Sequence, residues 1–250
     1  MNTVKVKKGA TLMIAHRGLS GLEPENSIPA FIAAGNRSYY GIETDVHVTR
    51  DGKFVVIHDD RTGRVAEDDV PVEQSTYSLL RKINLHNICG KEKAAGITPE
   101  DVMVRPDLMI PSLKEYVIIC KKYCKKCVLE LKNRFEPDDI RRLIAEIEAL
   151  DYLNDMIFIS FSLDNMICLR ELLPNHKLQY LTGKYDAEIL KNLDDYHLDL
   201  DVKYTALTKE AVEELHAHGH QVNCWTCDDK EAAEELISWG VDFITSNILE

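Results

Sequence analysis

The sequence predicts an α/β fold, a single (β/α)8 TIM barrel, and three observations carry the prediction. The chain has 250 residues, the usual size of one closed barrel of eight strand and helix pairs. Short apolar, β-branched runs alternate with amphipathic stretches, the pattern of parallel strands joined by helical crossovers. There are eight such runs, the number that closes the barrel.

In chain order the expected strands are residues 12–16, 41–48, 128–132, 157–161, 178–181, 198–202, 221–225 and 242–245. Between them apolar residues recur at spacings of three and four behind usable helix starts. Ser112 opens a helix over 113–125, Pro137 stands at the start of one over 138–150, Thr208 opens 209–218 and Asp228 opens 229–239. A ninth strand-like run, 53–57, follows Asp51-Gly52, a tight-turn dipeptide, and reads as the return arm of a hairpin on the second strand. Centring the turn on Asp51 and Gly52 pairs Arg50 with Lys53 and sets His58 opposite Asp45. Residues 60–111 are too long for a simple loop in a compact domain. They read as a lid-like insertion, with some helix near 78–84, in one barrel domain over residues 1–250.

The hydrophobic fraction of 45% and charged fraction of 29% are ordinary for a soluble globular chain. A formal charge of −12 argues against a nucleic-acid partner, because such binders neutralise phosphates with Lys and Arg. Any phosphate handled here is therefore small and held locally. No apolar run approaches the roughly 20 residues that cross a bilayer, and residues 1–9 lack the apolar stretch of a secretory signal. No integral membrane segment and a cytoplasmic location are expected. Seven cysteines, an odd number, fit reduced thiols better than a disulfide framework. Cys124 with Cys127 and Cys224 with Cys227 have metal-like spacing, but a barrel sets the pairs at opposite ends, so they cannot share a zinc.

Strand side chains alternate, so Glu43 and Asp45 point one way and so do Glu130 and Lys132. Turned outward they would lie buried under helices at a cost of several kcal/mol, so they point into the barrel mouth. Carboxylates converging there repel one another unless a cation neutralises them. A donor set of hard oxygens without thiolate suits a divalent metal, Mg2+, Ca2+ or Mn2+, better than zinc. The competing reading has Glu43 and Asp45 forming salt bridges to Arg17 and Lys132 and binding nothing else. His16 and Arg17 end the first strand, where barrel enzymes place catalytic groups, and the hairpin brings His58 to the same carboxylates. Two imidazoles at one centre can act as general base and general acid, with Arg17 and Lys132 holding phosphate oxygens.

In order, the chain contains Ala15-His16-Arg17-Gly18, Pro24-Glu25-Asn26-Ser27, Glu43-Thr44-Asp45-Val46, Thr49-Arg50-Asp51-Gly52, Val56-Ile57-His58-Asp59, Ile110-Pro111-Ser112-Leu113, Leu129-Glu130-Leu131-Lys132, Ile159-Ser160-Phe161, Trp225-Thr226 and Gly240-Val241-Asp242. This ordered set resembles the glycerophosphodiester phosphodiesterase family. The resemblance implies a metal-dependent barrel hydrolase that cleaves small-molecule glycerophosphodiesters to glycerol 3-phosphate and an alcohol. The attacking group would be water or the glycerol 2-hydroxyl. By position, the resemblance makes Glu43, Asp45 and Glu130 metal ligands, His16 and His58 the acid and base, and Arg17 and Lys132 phosphate contacts. Trp225 matches an aromatic residue that packs against glycerol, with core packing as its other reading, and Phe161 divides in the same way between core and substrate wall. Asn26 or Ser27 reads as a helix cap rather than a ligand. Asp199 and Asp201 share a strand face, and the resemblance gives them no role. Two departures stand out: Asp60-Arg61-Thr62-Gly63 is condensed, and Asn247 falls near a position where the family usually has aspartate. Two rival functions are a Schiff-base lyase working through Lys132 and a non-catalytic phosphoester-binding barrel.

Overall fold

A strand walled by helices on one side and a packed interior on the other must be apolar along most of its length, and Met156–Ser160 is accordingly buried at every position. The computed structural model describes residues 2–89, 95–98, 100, 105 and 107–250. Its strands are β1 (Leu12–Ala15), β2 (Gly41–Val48), β3 (Phe54–Val56), β4 (Lys126–Leu131), β5 (Met156–Ser160), β6 (Leu178–Thr182), β7 (Asp199–Lys203), β8 (Val222–Trp225) and β9 (Phe243–Ser246). They follow the order β1-β9-β8-β7-β6-β5-β4-β2-β3, and a further β1–β2 pairing closes the ring. The eight ring strands are parallel and β3 alone runs antiparallel, on β2. This is the expected (β/α)8 barrel.

The helices are α1 (Ile28–Gly35), α2 (Tyr77–Leu80), α3 (Leu113–Lys122), α4 (Pro137–Glu148), α5 (Leu163–Leu172), α6 (Ala187–Tyr196), α7 (Lys209–His218) and α8 (Lys230–Trp239). Ser112 caps α3 in a full capping box with Glu115, Pro137 occupies the first turn of α4, and the Thr208 side chain caps α7. The cap of α8 is Asp229 rather than the expected Asp228. Asp228 is drawn off to Ser246 Oγ and the backbone N–H of Asn247, both at 2.7 Å, so the helix starts one residue later. Most expected strands shift by one or two residues at an end, the usual fate of boundaries read from periodicity.

The interior of the barrel is a small apolar plug that includes Ile14, Val128, Ile157, Ile159, Leu181 and Phe243. A much larger apolar layer lies between the strands and the surrounding helices. Above the plug the inward positions turn polar, and that end of the barrel carries the chemistry.

The hairpin corrects the expected register. Val46 pairs with Val56, His47 with Val55 and Val48 with Phe54, and the backbone N–H of Ile57 donates to the carbonyl of Asp45 at 3.2 Å. Ile57, not His58, therefore lies opposite Asp45. The cause is a three-residue loop, Arg50-Asp51-Gly52, closed by Thr49 N to Lys53 O and Gly52 N to Thr49 O, both 2.8 Å. Gly52 at φ 70° supplies the left-handed residue that such a loop needs in third place.

Among the described residues of 60–111, the helix is Tyr77–Leu80, capped by Thr76, shorter and earlier than the expected 78–84. Part of the expected insertion lies outside the described residues. The described part has an apolar cluster of its own, in which Val72, Leu80, Ile83 and Leu108 pack on Val55 and Ile57 of the hairpin. No helix among the described residues is long and apolar enough to cross a membrane.

Candidate active site

Strand register assembles the site. β1 and β3 approach the same edge of β2 from opposite directions: β1 pairs at Gly41 and Ile42, β3 at Val46 to Val48. The chain leaving β1 carries His16, and the chain leaving β3 carries His58. Both arrive beside the middle of β2, where Glu43 and Asp45 sit, so His58 reaches the expected neighbourhood despite the shifted register. On the other edge of β2, β4 sets Glu130 directly beside Asp45. His16, Arg17, Glu43, His58, Glu130 and Trp225 line one pocket.

Oxygen atoms of Glu43, Asp45 and Glu130 lie within 4.8 Å of one another, and all three residues are buried. Burial drives Glu43 well above the usual carboxylate range, and the charges of Asp45 and Glu130 add to the rise. Burial and Asp45 push Glu130 up to about 8. Burial opposes ionisation of Asp45 too, but Arg17, Lys132, His58 and an Asn26 hydrogen bond together hold it well below the usual range. The cations are close: Arg17 Nε is 3.6 Å from Asp45 Oδ2, and Lys132 Nζ is 3.7 Å from Asp45 Oδ1 and 2.8 Å from Glu130 Oε1. The salt-bridge reading is thus partly realised, although Glu43 bonds the Arg17 backbone N–H at 2.8 Å rather than its guanidinium. The cations leave the group incomplete, because Asp45 Oδ1 and Arg17 Nε are buried without a hydrogen-bond partner. Three convergent carboxylates, two of them unwilling to ionise side by side, and an orphaned carboxylate oxygen fit a hard divalent cation.

Each histidine is held by Nδ1. His16 Nδ1 lies 2.7 Å from Asn247 Oδ1, an atom that also accepts from Ser20 Oγ at 2.6 Å. The Asn247 amide is oriented by its own Nδ2 donation to Asp228 at 2.6 Å. An acceptor at Nδ1 assigns the proton there and leaves Nε2 of His16, 3.9 Å from Glu43 Oε2, as the free lone pair. His58 Nδ1 lies 2.5 Å from Asp59 Oδ1, so its Nε2 is free in the same way. Burial, reinforced by Arg17, lowers His16 to about 4. Burial also lowers His58, but Asp45 and the hydrogen bond to Asp59 work against that.

The turn after β1 needs unusual backbone. Arg17 and Asn26 adopt positive φ, 52° and 51°, and Gly18 sits at 74°. A Cβ on Gly18 would fall 2.7 Å from Ala30 atoms, so glycine alone lets the loop lie against α1. Ser27 caps α1, as expected. Asn26 is not the cap: its Oδ1 accepts from Thr44 Oγ1 and its Nδ2 donates to Asp45 Oδ2, both at 2.7 Å, fixing the carboxylate from behind. His47 was not singled out from the sequence, although it shares the face of Glu43 and Asp45 by the same two-residue period. It is fully buried, takes Glu73 Oε1 at Nδ1 (2.9 Å), and reaches the carbonyl of His58 from Nε2 at 3.3 Å. Arg17 and Arg64 both bond Glu25, and Arg64 also bonds Asp59, which ties the condensed segment to the rim.

Phe161 and Trp225 meet edge to face at 5.7 Å and form the aromatic side of the pocket. Asp201, given no role from the sequence, is 2% exposed and lines the same pocket. A second cluster with metal-ligand geometry, Asp194 with His218 and His220, lies before β8 at the opposite end of the barrel. There the carboxylate accepts from both imidazoles, at 3.1 Å and 2.9 Å. All seven cysteines are free thiols.

Residues 16–249 match the model of the Glycerophosphoryl diester phosphodiesterase family. Glycerophosphodiester phosphodiesterase of Bacillus subtilis is 26% identical over 94% of this chain and 83% of its own length. The enzyme of that name from Caldanaerobacter subterraneus is 29% identical over 95% and 94%. A glycerophosphodiester phosphodiesterase structure from Parabacteroides distasonis superposes with a TM-score of 0.76 at 27% identity, covering 99% of this chain and 94% of that one. An Oleispira antarctica phosphodiesterase, solved with its product sn-glycerol-3-phosphate, superposes at 0.79 with 24% identity, covering 95% and 93%.

Proposed function

The chain belongs to the glycerophosphoryl diester phosphodiesterase family, and from that premise we propose that it hydrolyses glycerophosphodiesters to glycerol 3-phosphate and an alcohol, with a divalent metal and two histidines. The observation that carries the reading is the buried trio Glu43, Asp45 and Glu130, flanked by two imidazoles whose Nε2 atoms are both free for the pocket. These three carboxylates would hold the cation, Mg2+, Ca2+ or Mn2+. When bound, it would lower the pKa of an attacking hydroxyl and offset charge at phosphorus.

The chain's own residues supply the rest. Arg17 and Lys132, both beside Asp45, bind the non-bridging phosphate oxygens and stabilise charge as it develops. His16 is kept neutral by burial and has a neutral amide at its back, so its Nε2 takes the proton of the attacking hydroxyl. Burial lowers His58 as well, but Asp45 and the carboxylate at its back oppose the fall, so of the two imidazoles it is the one we assign to give a proton to the leaving alkoxide. Trp225 and Phe161 hold the apolar face of the glycerol.

Lys132 is unsuited to Schiff-base chemistry. Burial lowers its pKa, but Glu130 and Asp45 more than reverse this and keep the amine protonated, whereas an attacking amine must be free. Release of glycerol 3-phosphate from a panel of glycerophosphodiesters, with and without EDTA, tests the reading. Metal-restored release supports it, and turnover unaffected by chelator removes the metal from it.

A further inference from the structure

Asp201 lies in the pocket wall and takes no part in the mechanism above. On β7 it pairs with Leu181 of β6 and Asn223 of β8, level with the pocket floor. It is 2% exposed, and its Oδ1 is buried with no hydrogen-bond partner. Of the nearby polar groups, Asn223 Nδ2 donates to Gln179 Oε1 at 3.0 Å and Thr245 Oγ1 donates to Asn223 Oδ1 at 3.2 Å, while Gln179 Nε2 is buried without a partner of its own. Trp225, which lines the same pocket, has a buried Nε1–H that is also without a partner. Buried polar atoms left unpaired lower stability, so their presence in a pocket points to a ligand group that completes them.

We propose that Asp201 hydrogen-bonds the terminal hydroxyl of the glycerol moiety, so that the pocket disfavours diesters in which that hydroxyl is missing. The inference rests on the glycerophosphodiester reading given above. A hydroxyl both donates and accepts, so it pairs with a carboxyl in either protonation state. A methyl or methylene in its place neither donates nor accepts, so it leaves Oδ1 buried and unpaired. Sites built around a substrate hydroxyl discriminate far more strongly against its absence than apolar pockets do against a methylene. The other chemistry a carboxyl beside Phe161 and Trp225 suggests is an ammonium head group. Burial and the charge of Glu130 both disfavour ionised Asp201, which favours the hydroxyl.

The test compares kcat/KM for sn-glycero-3-phosphocholine and 2-hydroxypropyl phosphocholine, which keeps the 2-hydroxyl and lacks the terminal one, in the full chain and in Asp201→Ala and Asp201→Asn. The expected preference for the glycerol compound is about 100-fold or more in the wild type. It should fall to about tenfold or less in Asp201→Ala and recover in part in Asp201→Asn, whose amide still bonds a hydroxyl. Losses common to both substrates, from folding or metal content, cancel in the ratio. An unchanged ratio in Asp201→Ala overturns the proposal, as does a change confined to the ratio between choline and neutral head groups. Affinities of sn-glycerol 3-phosphate and 2-hydroxypropyl phosphate, measured by calorimetry on the same proteins, must shift in the same way. If the wild type hydrolyses neither diester, the proposed activity fails, and the binding ratio still decides the role of Asp201.

Discussion

His16 and His58 contribute only Nε2 to the pocket, and neither belongs to the carboxylate trio, so their loss should separate chemistry from metal binding. Replacing either with alanine is expected to lower kcat by about 10²- to 10⁴-fold, with Mg2+ or Ca2+ affinity by calorimetry nearly unchanged. Loss of metal binding in either variant would place that imidazole among the ligands. Asn26 predicts the reverse pattern. Its amide holds Asp45 Oδ2, so Asn26→Ala should weaken metal affinity by about 10- to 100-fold and regain much of its rate at saturating metal. Unchanged affinity would leave Asn26 a backbone role only. The carboxylates and the first histidine were legible in the sequence because strand alternation and a strand end place them without any knowledge of tertiary contacts. Asn26 was not, since its partners Thr44 and Asp45 meet it only after the chain reverses through a left-handed turn. His47 obeyed the same alternation as Glu43 and Asp45, and that period was the signal that could have found it.

Among the elements, the loop from His16 to Ser27 depends most on a single residue. Gly18 combines φ 74° with a Cβ position 2.7 Å from Ala30 backbone and side chain, so Gly18→Ala must move either the loop or α1. Destabilisation of about 1–3 kcal/mol is expected, read as a lower midpoint in thermal or urea denaturation. Turnover should fall with it, because the same loop carries Arg17. A variant with wild-type stability and rate would mean that the loop tolerates the clash. Turn chemistry explains why the hairpin was foreseen and its register was not. Asp51-Gly52 announces the reversal, but the same dipeptide serves a two-residue loop or the last two positions of a three-residue one. Here Gly52 takes the third place, which shifts every partner of β3 by one. The cap of α8 moved for a comparable reason: Asp228 and Asp229 are equally good caps in isolation, and only the fold brings Ser246 and Asn247 to claim the first.

At the scale of the whole molecule, the acidic mouth links stability to pH and to metal. Burial and Asp45 raise Glu130 to about 8, so the folded chain keeps a proton that the unfolded chain has lost, and stability falls as pH rises towards that value. His16, lowered from 6.5 to about 4, acts in the opposite sense, as does His58. Those histidine contributions are complete once the unfolded imidazole has titrated at about 6.5. Between about pH 6.5 and 8 the melting temperature of EDTA-treated protein should therefore decline. Added Mg2+ or Ca2+ should raise it by an amount that grows across that window, because the cation displaces the proton. Calorimetric scans at several pH values check this, and a melting temperature that climbs with pH in EDTA would contradict it. The barrel itself was legible because eight apolar runs alternating with amphipathic ones leave little else to build. The segment over 60–111 was not, since its apolar residues follow neither period and are arranged by packing on the hairpin.

Ring closure is uneven. β9 and β1 pair over four positions, whereas β1 meets β2 over two and β8 meets β9 over two. When the wall breathes, β9 and β1 should part from their outer neighbours before they part from each other. His16 and Asn247 follow directly on these two strands and would travel together, so such an opening would change how far the imidazole stands from the carboxylates without changing its tautomer.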